Sequence, residues 1–118
     1  MLQTNFETLA NQIPQYRSVV LKIGDWVHTH TDWPFLDPRI LSRDLKDVDP
    51  FRLVLTLHEF VQRGEYRQVY KVVTPDGDFA EHVYATPLDV PREPRDGFNR
   101  PFRIEDGDIV PVFTPIVR

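Results

Sequence analysis

Apolar positions recur every three to four residues through the first half of the chain, and stretches rich in Val, Tyr and Phe follow, so helices are expected before strands. Leu2, Phe6, Leu9 and Ile13 predict a short helix over 4–12. Thr4 or Asn5 is its cap, and Glu7 in the first turn suits the positive end of the helix dipole. Pro14 either kinks this helix or begins the next. Tyr16, Val19, Val20, Ile23 and Val27 continue a helical stripe with Trp26 at its edge, predicting the longest helix over 14–28. Gly24 inside it weakens the helix by about 1 kcal/mol relative to alanine, and close packing of another element against that face accounts for it. Trp33-Pro34-Phe35-Leu36 is apolar but broken by proline, and reads as a short extended segment against a sheet.

Asp37-Pro38 and Asp49-Pro50 repeat one device: a carboxylate cap, then proline at the first helical position, where its missing N–H costs nothing. Ile40, Leu41 and Leu45 give the first of these helices an apolar face as far as Lys46. After the turn Asp47-Val48-Asp49, a helix over 50–63 carries Val54, Leu57, Phe60 and Val61 as its predicted inward stripe and stops at Gly64. With that stripe inward, Arg52, Thr56, Glu59 and Arg63 lie outside. Tyr66–Val73 and 79–85 then read as two strands joined at Pro75-Asp76-Gly77-Asp78.

Two short helices joined by about three residues have the outline of a helix-turn-helix. A long helix, a short helix, a tight turn, a second helix and a hairpin is the order of the winged helix-turn-helix superfamily. The run Leu57, Glu59, Phe60, Val61, Gly64, Tyr66, Val69, Tyr70 and the Pro75-Asp76-Gly77 turn resembles the end of that fold's second helix entering its wing. The resemblance covers about 14–86. It implies a small α+β domain and the option of reading a DNA major groove through the helix 50–63.

Beyond it the chain changes character. Pro87, Pro91, Pro94 and Pro101 interrupt a polar run with Arg92, Glu93, Arg95, Asp96 and Arg100, which reads as an extended, partly polyproline-like connector over 87–101. Phe102-Arg103-Ile104 and Ile109-Val110-Pro111-Val112-Phe113 flank Glu105-Asp106-Gly107-Asp108, a second hairpin signal. Pro111 and Pro115 confine the last strand to an edge or an irregular path. The expected organisation is a single domain over 1–118: a winged-helix-like core at 14–86, the connector, and a C-terminal β extension at 102–118.

Composition narrows the function. At 118 residues the chain buries one modest core. It has no cysteine, which excludes disulfides and thiolate metal sites. No basic-then-apolar N-terminus marks a secretory signal, and no apolar run approaches the roughly 18 residues of a membrane span, so a cytoplasmic location is expected. The formal charge of −4 disfavours phosphate neutralisation unless positive charge is gathered on one face.

Candidate chemistry is sparse. DNA contact would use Arg52, Thr56 and Arg63, with Arg39, Arg43 and Lys46 of the preceding helix adding a basic stripe, but Glu59 and the acidic turn at Asp76 and Asp78 oppose it. His28, His30 and Asp32 alternate like metal ligands but read better as helix-end residues that cap carbonyls. His58 and Glu59 are adjacent and so point to different faces, and Ser18 and Ser42 sit in no nucleophile-elbow setting. His82 reads as structural, and the carboxylates around Gly77 and Gly107 are turn chemistry. Arginine far outnumbers lysine, which occurs only at Lys22, Lys46 and Lys71, and Phe98 sits among arginines where a core role is unnatural. Aromatics and arginines are favoured at protein interfaces, so this connector would either dock on a partner or fold back as a strap over the domain. The expectation is a non-enzymatic adaptor or accessory subunit of a bacterial multi-protein system, without metal or cofactor. It would bind another protein subunit or a further copy of itself through Arg52, Thr56, Glu59, Arg63, Arg95, Phe98 and Arg100. The alternative is a DNA-binding regulator using Arg39, Arg43, Arg52, Thr56 and Arg63.

Overall fold

The computed structural model describes residues 5–104 and 108–116. The fold is α+β: four helices and a three-stranded antiparallel sheet. The helices are α1 (Phe6–Gln12), α2 (Arg17–Thr29), α3 (Pro38–Asp44) and α4 (Pro50–Gln62), and the strands are β1 (Tyr66–Val73), β2 (Phe79–Tyr84) and β3 (Asp108–Pro115), in the sheet order β2–β1–β3. Single 3₁₀ turns lie at Pro14–Tyr16 and Pro87–Asp89. Two units are distinguished by their internal contacts. One holds the chain up to Arg67 together with the segment from Phe113 onward, and the other is Gln68–Val112.

In the first unit the helix starts follow local rules. Asn5 caps α1, accepting from Thr8 N at 3.0 Å. Asp37 and Asp49 cap α3 and α4, each carboxylate accepting at 2.9 Å from the N–H two residues on. Leu2 and Thr4 lie outside the described residues. Pro14 neither kinks α1 nor opens α2 directly; it starts the 3₁₀ turn between them, so the long helix begins at Arg17. The helix α3 ends at Asp44, two residues short of the predicted Lys46. Gly64, at φ 73°, closes α4: its N–H bonds Val61 O at 3.1 Å and the Glu65 N–H bonds Phe60 O at 3.0 Å, satisfying two terminal carbonyls.

The core of this unit gathers Phe6, Leu9 and Ile13 with Val20 and Ile23 of α2, Leu41 of α3, Leu53, Leu57 and Phe60 of α4, and Tyr66. Phe60 stands 6.2 Å from the Phe6 ring and 5.6 Å from Tyr66. Gly24 has the close neighbour its position implied: a Cβ there would lie 2.8 Å from Cβ and Cγ of Phe6. Leu36 exchanges both backbone hydrogen bonds with Phe113, at 2.7 and 2.8 Å, so the apolar segment before α3 does lie against a strand. That pairing uses the edge of β3 facing away from β1. Pro111 and Pro115 share the alternation of Phe113, so their missing N–H groups face the same way and remove no bond to β1.

In the second unit the hairpin turns where expected. Thr74 N donates to Asp78 O at 2.7 Å, Gly77 N donates to Thr74 O at 2.9 Å, and Gly77 takes φ 90°. Tyr70 pairs with Tyr84, Lys71 with Val83 and Val73 with Phe79. Val72 therefore stands against Ala80, Glu81 and His82, a bulge that blunts the β2 edge. The second hairpin of the sequence reading does not form as drawn. β3 pairs with β1, while the N–H groups of Phe102 and Ile104 return to Pro94 O and Arg92 O, both at 3.0 Å. The intervening Glu105, Asp106 and Gly107 lie outside the described residues. Nor is the 87–101 segment an extended connector, because it doubles back on itself with Arg95 opposite Pro101.

Candidate functional site

The helix α4 is rotated relative to its predicted stripe. Leu53, Thr56, Leu57 and Phe60 face the core, and Val54 is 52% exposed. Thr56, placed outside by the sequence reading, is 0% exposed, with Oγ1 donating to Arg52 O at 2.7 Å. That bond to the carbonyl one turn back satisfies the hydroxyl, so a polar side chain enters the core at little cost. Thr56 is therefore removed from both the protein-binding and the DNA-binding candidate sets. Arg52 and Arg63 are exposed and Glu59 is half-buried, as outer-face residues should be.

The basic stripe is largely neutralised. Arg39 Nη2 lies 3.0 Å from Oδ2 of the buried Asp37, Arg43 Nε lies 3.1 Å from Asp44, and Arg63 Nε lies 3.4 Å from Glu59 across one helical turn. Lys22 pairs with Asp47, and that contact holds the Asp47 carboxyl below its ordinary value. Arg52 has no ion pair among the described residues. Between α3 and α4 lies an open groove of about 450 Å³, floored by Pro38, Pro50, Leu53 and Val54 and rimmed by Arg39 and Arg43. Phe51, which the sequence reading did not single out, is 69% exposed on the same helix. Its signal was legible: an aromatic at the second helical position falls opposite Leu53, Leu57 and Phe60.

His30 is built into the fold, whereas His28, His58 and His82 are exposed. His30 is the residue after α2, its ring stacked 4.0 Å from Trp26 at 8°, with Nδ1 2.8 Å from Trp26 O. The capping role read from sequence holds for it. Among the described residues no three His, Asp or Glu side chains are grouped to hold a metal. His58 Nε2 lies 3.0 Å from Gln62 Nε2, away from the Glu59–Arg63 pair. His82 stacks near Tyr84 at 6.4 Å. Lys71 stands over the Phe79 ring at 5.8 Å, and burial holds its amine below the ordinary lysine value, opposed by the charge of Glu81.

The turn Asp96-Gly97-Phe98-Asn99 is an exposed feature closed by its own hydrogen bonds. Asp96 N donates to Arg100 O at 2.9 Å and Asn99 N to Asp96 O at 3.0 Å. The Asp96 carboxylate accepts from the N–H groups of Phe98 and Arg100 and from Arg100 Nε, each at 2.9 Å. These bonds, that from the Arg100 N–H foremost, hold its carboxyl below the usual range. Arg95 Nη1 donates to Asn99 O at 2.8 Å. Asn99 takes φ 63°, a conformation asparagine tolerates. On this scaffold Phe98 is 79% exposed, with the Arg100 guanidinium 5.1 Å from its ring centroid. Arg100 also lies 3.7 Å from Asp76 at the hairpin tip. Arg95, Phe98 and Arg100 are thus brought together as one surface. Asp96, which builds it, was missed, because its role depends on the turn closing around it.

Among the described residues no helix is long and apolar enough to cross a membrane. Comparison with family models, with curated proteins and with solved structures finds no match for this chain.

Proposed function

We propose that this chain is a non-enzymatic protein-interaction module of winged-helix type, an adaptor or accessory subunit that engages a partner protein through the Phe98 turn. The observation that carries the reading is a large aromatic side chain held out in solvent on a turn closed by Asp96, Arg95 and Arg100. A preorganised anchor loses little conformational freedom on binding, and aromatic and arginine side chains supply most interface hot spots. Of the four arginines of segment 92–103, Arg100 is paired with Asp96 and Asp76. Arg92, Arg95 and Arg103 have no ion pair among the described residues and leave the segment positive, so the partner surface is an apolar pocket bordered by carboxylates. The ion-paired Arg39, Arg43 and Arg63 and the buried Thr56 support this reading over groove reading by α4.

A photo-reactive phenylalanine analogue at position 98, introduced in the producing cell, tests it. The expected product is an adduct to one protein at an apolar residue flanked by Asp or Glu, absent when the analogue replaces Leu88, and Phe98→Ala in the purified pair weakens binding at least about tenfold. Adducts to nucleic acid, or equal adducts from positions 88 and 98, overturn it. Duplex DNA titrated at about 50 and 200 mM salt decides the alternative. Affinity that falls steeply with salt and is lost in Arg52→Ala makes the chain a winged-helix DNA-binding regulator instead.

A further inference from the structure

The exposed side of α4 carries a second pattern, independent of the Phe98 turn. Phe51, Leu55, His58 and Gln62 follow at intervals of four, three and four residues, the spacing of a coiled-coil seam. Phe51, His58 and Gln62 are exposed and Leu55 is half-buried, so the seam lies opposite the core-facing Leu53, Thr56, Leu57 and Phe60. Arg52 and Glu59 flank it on one side, seven residues apart, and Val54 and Val61 flank it on the other, also seven apart.

We propose that α4 pairs antiparallel with α4 of a second copy of this chain about a twofold axis. A twofold interface must be complementary to itself, each contact occurring twice with the roles exchanged. In antiparallel register Phe51 meets Gln62 of the partner subunit and Leu55 meets His58 of the partner subunit. The same register sets Arg52 against Glu59 of the partner subunit, and Val54 against Val61 of the partner subunit. Charge meets opposite charge on one flank and apolar meets apolar on the other, from a single helix. A parallel pair would match the apolar seam residues with their own copies, but it would leave Arg52 facing no carboxylate of α4 and set Val54 against Glu59 of the partner subunit, so the charge match selects the antiparallel pair. Arg52 has no ion pair among the described residues and is available. Glu59 keeps lone pairs beyond its 3.4 Å contact to Arg63. The helix has 13 residues, about 20 Å, and two of its four seam positions are polar, so the dimer is weak, with a dissociation constant of about 10–100 μM.

Sedimentation equilibrium of the full chain from about 1 μM to 1 mM tests the pairing, with circular dichroism confirming that each variant stays folded. The expected result is a monomer–dimer equilibrium abolished by Phe51→Glu and by Leu55→Glu. Arg52→Glu raises the dissociation constant about tenfold, and adding Glu59→Arg restores it to within about twofold. Phe98→Ala leaves the equilibrium unchanged, which separates this interface from the one proposed above. A chain monomeric at 1 mM, a dimer indifferent to Leu55→Glu, or a charge reversal that fails to restore association overturns the pairing.

Discussion

The indole N–H of Trp26 donates to Oδ2 of Asp44 at 2.8 Å, joining α2 to the last residue of α3. The same oxygen lies 4.0 Å from His30 Nε2, and the His30 ring stacks on the Trp26 indole. The bond from Trp26, then that from Arg43, holds the Asp44 carboxyl below its ordinary 3.8. A carboxyl depressed in the folded state stabilises the fold above its unfolded pKa and loses that contribution as pH falls through the folded value. Asp44→Ala should therefore melt below the parent chain at neutral pH, with the gap closing as pH drops below 3.8. Melting curves of both proteins across the acid range check this, and a gap that widens on acidification contradicts it.

Gly24→Ala should destabilise the protein although it replaces the poorer helix former. The intrinsic gain is about 1 kcal/mol. The new methyl would meet Cβ and Cγ of Phe6 at 2.8 Å, close to that residue's backbone and unable to swing away. Overpacking of this kind costs about 1–3 kcal/mol, so the net effect is a loss. Urea unfolding measures it, and Phe6→Ala in the same background should relieve part of the new strain.

The rotation of α4 predicts an ordering of alanine substitutions. Leu57→Ala should cost about 2–5 kcal/mol, since Leu57 is fully buried. Thr56→Ala should cost about 1 kcal/mol through the lost contact and the bond to Arg52 O. Val54→Ala should stay within about 0.5 kcal/mol. Finding Val54 more sensitive than Thr56 would restore the stripe first read from the sequence.

Asp96→Ala should open the 96–99 turn without unfolding the protein, because the bonds it removes are local and exposed. Amide exchange reads this directly. The N–H groups of Phe98 and Arg100 should lose protection while those of β1 keep theirs. Asp96→Asn should retain part of the protection, since its side-chain oxygen still accepts.

Local chemistry was legible in the residues alone. The paired caps Asp37-Pro38 and Asp49-Pro50, the stop at Gly64 and the turn at Gly77 each need only a side chain reaching a nearby N–H or a backbone of positive φ. Phe98 could likewise be set apart from the core, because its neighbours are arginine, proline and glycine. Which way α4 faced was decided by tertiary packing. Phe51, Leu53, Val54, Leu55, Leu57, Phe60 and Val61 offer two overlapping apolar stripes, and only the shape of the core formed with Phe6, Leu9 and Tyr66 selects one of them. The partner of β3 was equally beyond local reading. A nearby segment, Phe102–Ile104, competed with the distant β1, and pairing with β1 also leaves Phe113 facing Leu36, a closure that depends on residues far apart in the chain.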